Sequence, residues 1–422
     1  MSEPASNSID NPTDERSAHP LRATDRVRWE RLAAGCRVAR FRSGAGSEEV
    51  HLHLEPDRSG SFEDQLQQLV TAYHETLATL GLGRETSVFR RCHLSDAANQ
   101  LEATMASPLG FGVSGDEVAA VSCVEQPPLP YHKLALHAYH VDDVRPGDKR
   151  LVRLPAAGPH AHCLELLRGE YRMLWTAQMA LVTERSPEPC REQTRRLFDA
   201  YRELLGAHGA TLRDDVLRTW LFVHDVDNQY AAMVAERRTL FGEEGLTPGT
   251  HYLVSTGIEG RWARPDCLVV LDAWAMPGLG AEQLRYLDAL DHLNRTSDYG
   301  VTFERAARLE HGDRAHLLLS GTASIDALGQ VVHPGDVLRQ TERTLENIRA
   351  LLATGGASLD DMAEMTVYLR DPADAAAVRE RLDAVSPALP YLMVHAPVCR
   401  PGWLIEIEGI AIVPSASSWP RF

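Results

Sequence analysis

The sequence lacks several features that would place it in a membrane, secreted or nucleotide-binding class. No apolar run reaches the ~18 residues that a membrane-spanning helix needs. The N-terminus, MSEPASNSIDNPTDERSAHP, has no apolar signal core, and no Walker or Rossmann glycine pattern is present. The seven cysteines form no CxxC pair, and their odd number and wide spacing are typical of reduced thiols. We therefore expect a cytoplasmic protein.

Positive charge is also in deficit. The chain has 43 Lys and Arg against 59 Asp and Glu, a net charge of −16. This balance argues against a nucleic-acid partner, and an anionic substrate would need its own local arginines. His160, His162 and Cys163 lie close together, but no second ligand pair follows at metal-site spacing. We expect no metal and no cofactor.

The length predicts more than one domain, because 422 residues exceed one ordinary core. Residues 1–26 are polar and rich in Pro and Ser, which predicts a disordered tail. We predict domains at 27–145, 146–280 and 299–422, with a short linker helix at 281–298.

One helix–strand unit recurs three times. REQTRRLFDAYRELLGAHGATLRDD from residue 191 matches LRQTERTLENIRALLATGGASLDDM from residue 338, so that Gly209 meets Gly356. DQLQQLVTAYHETLATLGLG from residue 64 is a fainter copy, with Gly81 at the same place. Each amphipathic helix ends at a glycine and is followed by an apolar strand. We predict an α+β fold of three repeats, each with helices on one face of a mixed sheet, related by pseudo-threefold symmetry.

The last strand, WLIEIEGIAI, carries Glu406 and Glu408 on one face. The position of Glu406 is apolar in the two earlier copies, whereas the position of Glu408 is polar in all three. The matched residues are Val270 and Ala135 for the first position, and Asp272 and His137 for the second. We interpret Glu408 as a solvated or hydrogen-bonded structural residue on the outer side of the strand. Glu406 breaks the pattern, which favours a functional role.

Glu406 has the sequence surroundings of a general acid. Leu404, Ile405 and Ile407 flank it, and a second acid lies two residues away. Burial and a like charge both raise the pKa of a carboxyl group, so that it stays protonated near neutral pH. The alternative is an edge-strand acid that faces solvent.

The end of the chain resembles the YjgF-type reactive-intermediate deaminase family. SGTASIDALGQVVHPGD, QTERTLENIRALLATGGASLDDMAEMTVYLRD and IEIEGIAI carry the likeness. That family is trimeric, with sites in clefts between subunits. The resemblance implies that Glu406 is the active-site acid and that Ser320–Gly321 contacts substrate. The family's enamine/imine deaminases have a substrate-carboxylate arginine 15 residues before the acid, where this chain has Tyr391. Deamination is therefore disfavoured.

Residues 85–415 look like the chorismatases. The motifs are YLDALDHLNRTSDYGVTFERA, LLLSGTASID, HYLVSTGIEGRWARPDCLVVLDAWAMPG and HAPVCRPGWLIEIEGIAI. That family is a pseudo-threefold chain of YjgF-like, chorismate-mutase-like α+β domains, and it removes pyruvate from chorismate. One branch hydrolyses chorismate to a dihydroxycyclohexadiene carboxylate. Another yields 3-hydroxybenzoate, and a further branch, from bacteria with aryl-polyene pigments, yields 3- and 4-hydroxybenzoate.

The hydroxybenzoate-forming branches have a glycine in the SGTAS loop and a cysteine seven residues before the acid. Gly321 and Cys399 stand at those positions, and the length and long N-terminus are similar to the dual-product branch. The resemblance implies a chorismatase that forms 3-hydroxybenzoate, with 4-hydroxybenzoate as a second product. Cys399 would then shape product choice. As a nucleophile it lacks a visible base, and burial as a plain apolar residue is an equal alternative.

Two substrate carboxylates call for guanidinium or phenol donors and for glycines that admit backbone N–H groups. The candidates are Arg261, Arg305, Tyr286, Tyr299, Tyr391, Thr256, Gly257 and Gly321. For any one arginine, a surface ion pair is the alternative. Arg264 and Arg400 precede Pro in two copies, and we interpret them as structural turn residues.

Three functions stay open on sequence grounds. The first is a chorismate-cleaving enzyme that uses Glu406 as its acid, and the second is its water-adding variant. The third is a non-catalytic YjgF-like module that binds a small molecule or a partner protein. We expect chorismate as the ligand and neither a nucleic acid nor a membrane as a partner. We also expect a monomer with an internal pseudo-trimer, or a weak homo-oligomer.

Overall fold

The computed structural model describes residues 26–32, 35–44, 46–57, 59–111, 117–181 and 188–422. Apart from Arg26, the tail predicted for residues 1–26 lies outside this range. Among the described residues, the helices are all too short or too polar to cross a membrane.

The strands of the described chain group into three sheets of six. The first sheet has β1 Arg28–Arg31, β2 Arg37–Arg42, β3 Glu48–Leu54, β4 Ser87–Leu94, β5 Ala120–Glu125 and β6 Leu134–Val141. The second has β7 Lys149–Arg153, β8 His162–Arg168, β9 Tyr171–Met179, β10 Val216–Val223, β11 Val254–Glu259 and β12 Val269–Ala275. The third has β13 Leu284–Leu287, β14 Ala306–Glu310, β15 Arg314–Ala323, β16 Met362–Leu369, β17 Tyr391–His395 and β18 Ile405–Pro414.

All three sheets have the same topology. Their orders are β1-β2-β3-β6-β4-β5, β7-β8-β9-β12-β10-β11 and β13-β14-β15-β18-β16-β17. In each sheet the final pair along this order is parallel and the other pairs are antiparallel. The prediction of an α+β fold with three repeats is confirmed.

The helices lie between the strands in corresponding places. They are α1 Phe62–Leu80, α2 Ala97–Ala106, α3 Cys190–Ala207, α4 Leu212–Asp215, α5 Val226–Glu243, α6 Val337–Thr354 and α7 Ala375–Asp383. Gly81, Gly209 and Gly356, just after α1, α3 and α6, have φ of 68°, 68° and 75°. Only glycine adopts this left-handed conformation without strain, which is why the three glycines mark the repeat so clearly.

The segment 281–298 differs from its prediction. We expected a short helix there, but the segment contains strand β13, the outer strand of the third sheet. Leu284 and Tyr286, on one face of β13, are half-buried, whereas on the other face Arg285 is exposed and Leu287 is buried at the end of the strand. The domain boundaries themselves stay predictions.

Three buried ion pairs connect the sheets in one direction around their common centre. Arg91 of the first sheet lies 3.0 Å from Asp272 of the second. Arg218 of the second sheet lies 3.0 Å from Glu408 of the third, and Arg314 of the third lies 2.7 Å from Glu49 of the first. None of these side chains is more than 4% exposed. We call this set the central ion-pair ring.

Glu408 belongs to this ring, which corrects the interpretation that it is solvated on the outer side of its strand. It is 1% exposed and faces the centre of the molecule. Its Oε1 accepts hydrogen bonds from Trp220 Nε1 at 2.9 Å and from the Tyr368 hydroxyl at 2.8 Å. The expectation that it is hydrogen-bonded is therefore right, but the partners are buried protein groups.

We predict that Arg91→Met lowers the free energy of unfolding by about 3–5 kcal/mol, because it leaves the Asp272 carboxylate buried without its cation. Urea unfolding measures this loss. The double variant Arg91→Met/Asp272→Asn should recover most of it. Arg150→Met, which removes an exposed pair with Glu165, should cost under about 1 kcal/mol. Equal losses for Arg91→Met and Arg150→Met would contradict the structural role of the ring.

Candidate active site

A cavity of about 350 Å³ lies between the second and third sheets. Helix α5 and strand β11 form one wall, and β15, residues 300–305 and residues 399–406 form the other. The lining residues are Tyr230, Ala231, Val234, Ala235, Arg238, Ser255, Thr256, Gly257, Gly300, Val301, Phe303, Arg305, Gly321, Ala323, Ile325, Cys399, Arg400, Trp403 and Glu406. The structure therefore brings together the predicted residues Glu406, Cys399, Arg305, Gly321, Thr256 and Gly257.

Glu406 is the acid of this cavity. It lies on β18 next to Tyr368 of β16 and Ala323 of β15, and it is 5% exposed. Burial and the neighbouring Glu408 charge raise the pKa of Glu406 to about 8, although the Arg305 charge opposes the rise. At neutral pH the carboxyl group is therefore mostly protonated, which is the state that a general acid requires.

Gly321 makes room for this carboxyl group. A Cβ atom at Gly321 would lie 2.1 Å from Glu406 Oε1 and 2.7 Å from its carboxyl carbon. The carboxyl thus packs directly against the β15 backbone, where no larger residue fits. The Gly321 N–H donates to the Thr256 hydroxyl at 3.0 Å, which ties this part of β15 to β11 of the second sheet.

Cys399 lies beside the acid as a neutral thiol. Burial and the Glu406 charge raise its pKa to about 12, against the opposing effect of a hydrogen bond with Tyr230. A thiol with this pKa carries almost no thiolate at neutral pH, so that it is a poor nucleophile. Gly257 faces the same tyrosine, and a Cβ there would lie 3.1 Å from Tyr230 Cε2.

Three guanidinium groups line the cavity, those of Arg238, Arg305 and Arg400. Arg305 is 4% exposed, and its Nε and Nη2 each donate to the Asn294 carbonyl at 3.2 Å. Arg400 lies 4.8 Å over the Trp403 ring. The interpretation of Arg400 as only a turn residue is therefore corrected. Arg264 agrees with that interpretation, since it pairs with Asp266 at the surface.

Sequence reasoning missed Arg238, Tyr230 and Trp403. Tyr230, Val234 and Arg238 are four residues apart on α5 and so share one helix face, a spacing that could have shown them as a group. Trp403 is 5% exposed, and its indole N–H makes no hydrogen bond to any described residue. A buried donor of this kind suits an acceptor on a ligand.

Three predicted residues lie outside the cavity. Arg261 is about half exposed, between Glu125 and Glu259. Tyr286 stacks on His251 at 4.8 Å in a separate cavity of about 180 Å³ on the other side of Arg305. Tyr391 is fully buried, and its hydroxyl donates to Asp383 at 2.8 Å.

The position of Tyr299 is described only through its backbone. It ends a short 3-10 turn, Thr296–Tyr299, immediately before the cavity-lining Gly300. A role for its side chain stays a prediction.

Comparison with known proteins identifies relatives of two kinds. The family model described as Endoribonuclease L-PSP matches residues 309–413. A RutC family protein of Pyrococcus horikoshii is 41% identical over 97 residues, which are 22% of this chain and 77% of that protein. The family-model match covers most of the third sheet together with α6 and α7.

Longer matches extend over about half of the chain. The 3-hydroxybenzoate synthase of Streptomyces hygroscopicus is 28% identical over 243 residues, or 52% of this chain and 69% of that protein. A chorismatase of Streptomyces rapamycinicus is 26% identical over 236 residues, or 51% and 69%. A crystal structure of a chorismatase superimposes with a TM-score of 0.58 at 20% identity and covers 78% of this chain and 94% of that one. This last likeness shows the fold.

We predict that Glu406→Gln stabilises the protein at alkaline pH. The folded state holds the Glu406 proton up to a pH of about 8, whereas the unfolded chain loses it near 4.5. The wild type therefore loses stability as pH rises between these values, and the glutamine variant does not. Urea unfolding should show little difference at pH 5 and a gain of about 2–4 kcal/mol for the variant at pH 9. A pH-independent difference would contradict the raised pKa.

We predict that Gly321→Ala displaces the Glu406 carboxyl group while leaving the fold intact. The added methyl group would overlap Oε1, and the nearest atoms in its way are those of this one side chain. Gly402→Ala is a matched control, because its Cβ would lie 3.6 Å from Val331, an ordinary contact. Thermal unfolding should be similar for both variants. Any activity that depends on Glu406 should fall at least a hundredfold only in Gly321→Ala, and an equal fall in both would refute this prediction.

Proposed function

We propose that this chain, which belongs to the RutC family of YjgF-like proteins, is a chorismatase that removes pyruvate from chorismate. The observation that carries the proposal is a buried, protonated acid, Glu406, in one cavity with Arg238, Arg305 and Arg400. The names of the Streptomyces relatives, 3-hydroxybenzoate synthase and chorismatase, support the same substrate class.

The cavity suits chorismate in size and charge. Its volume of about 350 Å³ falls in the range of small-molecule sites. Chorismate has two carboxylates, and three arginines can bind them through paired N–H donors. The apolar side chains of Val234, Val301 and Phe303 offer a surface for the carbon ring. The protein has a net charge of −16, so the positive charge of the cavity is opposite to that of the molecule as a whole. A cavity of this kind attracts an anionic substrate.

The chemistry that we infer begins with protonation of the enol ether. Glu406 gives its proton to the methylene carbon of the enolpyruvyl group, and an oxocarbenium ion forms. Water then attacks the cationic carbon and gives a proton to the Glu406 carboxylate, which restores the acid for the next turnover. The hemiketal that results collapses to pyruvate: the bond between its central carbon and the ring oxygen breaks, and the proton of the hemiketal hydroxyl group passes to that oxygen.

Two outcomes balance chemically. Loss of one water from the resulting ring diol, as one hydroxyl group and one ring hydrogen, gives a hydroxybenzoate, so that chorismate becomes a hydroxybenzoate and pyruvate without net water uptake. Net uptake of one water gives pyruvate and a dihydroxycyclohexadiene carboxylate. We favour 3-hydroxybenzoate, with 4-hydroxybenzoate as a second product. Gly321 and Cys399 stand where the hydroxybenzoate-forming chorismatases have a glycine and a cysteine, and both line the cavity beside Glu406. The neutral Cys399 thiol acts in this scheme as part of the cavity wall and does not attack the substrate.

The test is incubation of the purified protein with chorismate, followed by an assay for pyruvate and separation of the aromatic products. We predict pyruvate in amounts equal to the hydroxybenzoates. Because the acid must be protonated, kcat/KM should fall above a pH of about 8. Glu406→Gln should lower kcat at least a thousandfold, whereas the exposed control Glu380→Gln should retain full activity.

Three results would decide against parts of this proposal. Absence of pyruvate with the wild type would exclude chorismate cleavage and favour a binding module. Full activity of Glu406→Gln would remove this residue from the mechanism. A dihydroxycyclohexadiene carboxylate as the main product would assign the water-adding reaction.

A further inference from the structure

Arg237 is a buried cation that forms no ion pair with a carboxylate of any residue the structure describes. It lies on α5 and is 1% exposed. Its Nε donates to the Thr302 hydroxyl at 2.8 Å, and its Nη1 donates to the Ser255 hydroxyl at 3.3 Å. Its Nη2 makes no hydrogen bond to any described residue. Two neutral hydroxyl groups are thus its only hydrogen-bond partners in the described part of the chain.

The other fully buried arginines have stronger acceptors. Arg37, Arg218 and Arg314 each lie within 3.3 Å of a carboxylate. Arg90 pairs with no carboxylate in the described ranges, but it donates to two backbone carbonyl groups. An unpaired charge in a protein interior costs several kcal/mol, so that its presence needs a reason beyond packing.

The position of Arg237 supplies that reason. Val234 and Arg238, on the same helix, line the candidate cavity. Ser255, which accepts from Arg237, also lines it, and Thr302 lies between the lining residues Val301 and Phe303. The guanidinium therefore lies directly behind the cavity wall, at the contact between the second and third sheets.

The groups around Arg237 do not balance its charge. The titratable side chains that act on it most are Tyr230, Cys399 and Tyr252, which are all neutral near pH 7, and the cation of Arg238. Burial lowers the pKa of Arg237 below its usual value, as expected for a cation without a counter-ion. The positive charge in and directly behind the cavity is thus larger than that of the three lining arginines alone.

We propose that Arg237 is a positioning residue whose buried charge stabilises a dicarboxylate substrate bound in the adjacent cavity. The inference rests on the proposed function. Its charge favours a dianion over a neutral ligand of the same shape, because charges in a low-dielectric interior are poorly screened. Its hydrogen bonds to Ser255 and Thr302 fix both walls of the cavity for that ligand.

The test measures binding in the Glu406→Gln background, in which turnover does not consume the ligand. Isothermal titration calorimetry compares chorismate with its neutral dimethyl ester. Adding Arg237→Met should weaken chorismate binding at least tenfold and change ester binding less than threefold. Arg237→Lys should restore part of the chorismate affinity, because it keeps the charge but not the paired hydrogen bonds. Arg90→Met, a buried cation of the first sheet, should leave both affinities unchanged.

Stability gives a second, independent result. Without ligand, the urea midpoint of Arg237→Met should equal or exceed that of the wild type, because an unbalanced buried charge has been removed. A much lower midpoint together with equal losses for chorismate and the ester would assign Arg237 a purely structural role and overturn the inference. Unchanged chorismate affinity would also overturn it, as would a failure of the protein to bind chorismate at all. If the wild type binds chorismate but releases no pyruvate, only the proposed function fails.

Discussion

The central ion-pair ring is the constraint on which the rest of the molecule depends. Each sheet contributes an arginine to a carboxylate of the next, through Arg91, Arg218 and Arg314, and all members are buried. Breaking a buried pair leaves an uncompensated charge in the interior, so the ring favours the relative placement of the three sheets in which all three pairs form. That placement brings α5 and β11 against β15 and β18, and it thereby creates the cavity in which Glu406 lies.

The three contacts between sheets are alike in topology but differ in content. The strand position of Glu406 holds Val270 in the second sheet and Ala135 in the first, and neither can act as an acid. Where the third sheet meets the first, the contact holds a hydrogen-bonded network instead of the candidate site. Its members are Arg37, Glu55, Arg379, Asp383 and Tyr391. Threefold repetition thus supplies a scaffold, and substitutions at one contact create the candidate site. In a homotrimer the three contacts are identical, whereas in a single chain they can diverge in this way.

The sequence predicted the repeats because their marks are local: a glycine after each long helix and an apolar strand behind it. It also predicted Glu406, because one acid replaces two apolar residues at equivalent positions. It did not predict the orientation of Glu408, since alternation places a residue on a face but does not say what covers that face. Arg238 and Trp403 were missed because the cavity forms between segments far apart in sequence. Tyr286 was grouped with residues of a different cavity for the same reason. Strand β13 corresponds to β1 and β7 in the sheet order, but the sequence comparison revealed no repeat there.

Glu408 connects the stability of the fold with the properties of the candidate site. Its carboxylate completes the ring through Arg218, and the same charge, two residues along β18, helps to raise the pKa of Glu406. A neutral residue at position 408 would leave Arg218 without its partner and would also make Glu406 more acidic. The Glu408 carboxylate thus helps to keep Glu406 protonated, but burial between the sheets makes the larger contribution to the raised pKa of Glu406. The acid of the site therefore owes its protonation to the same assembly that holds the three sheets together.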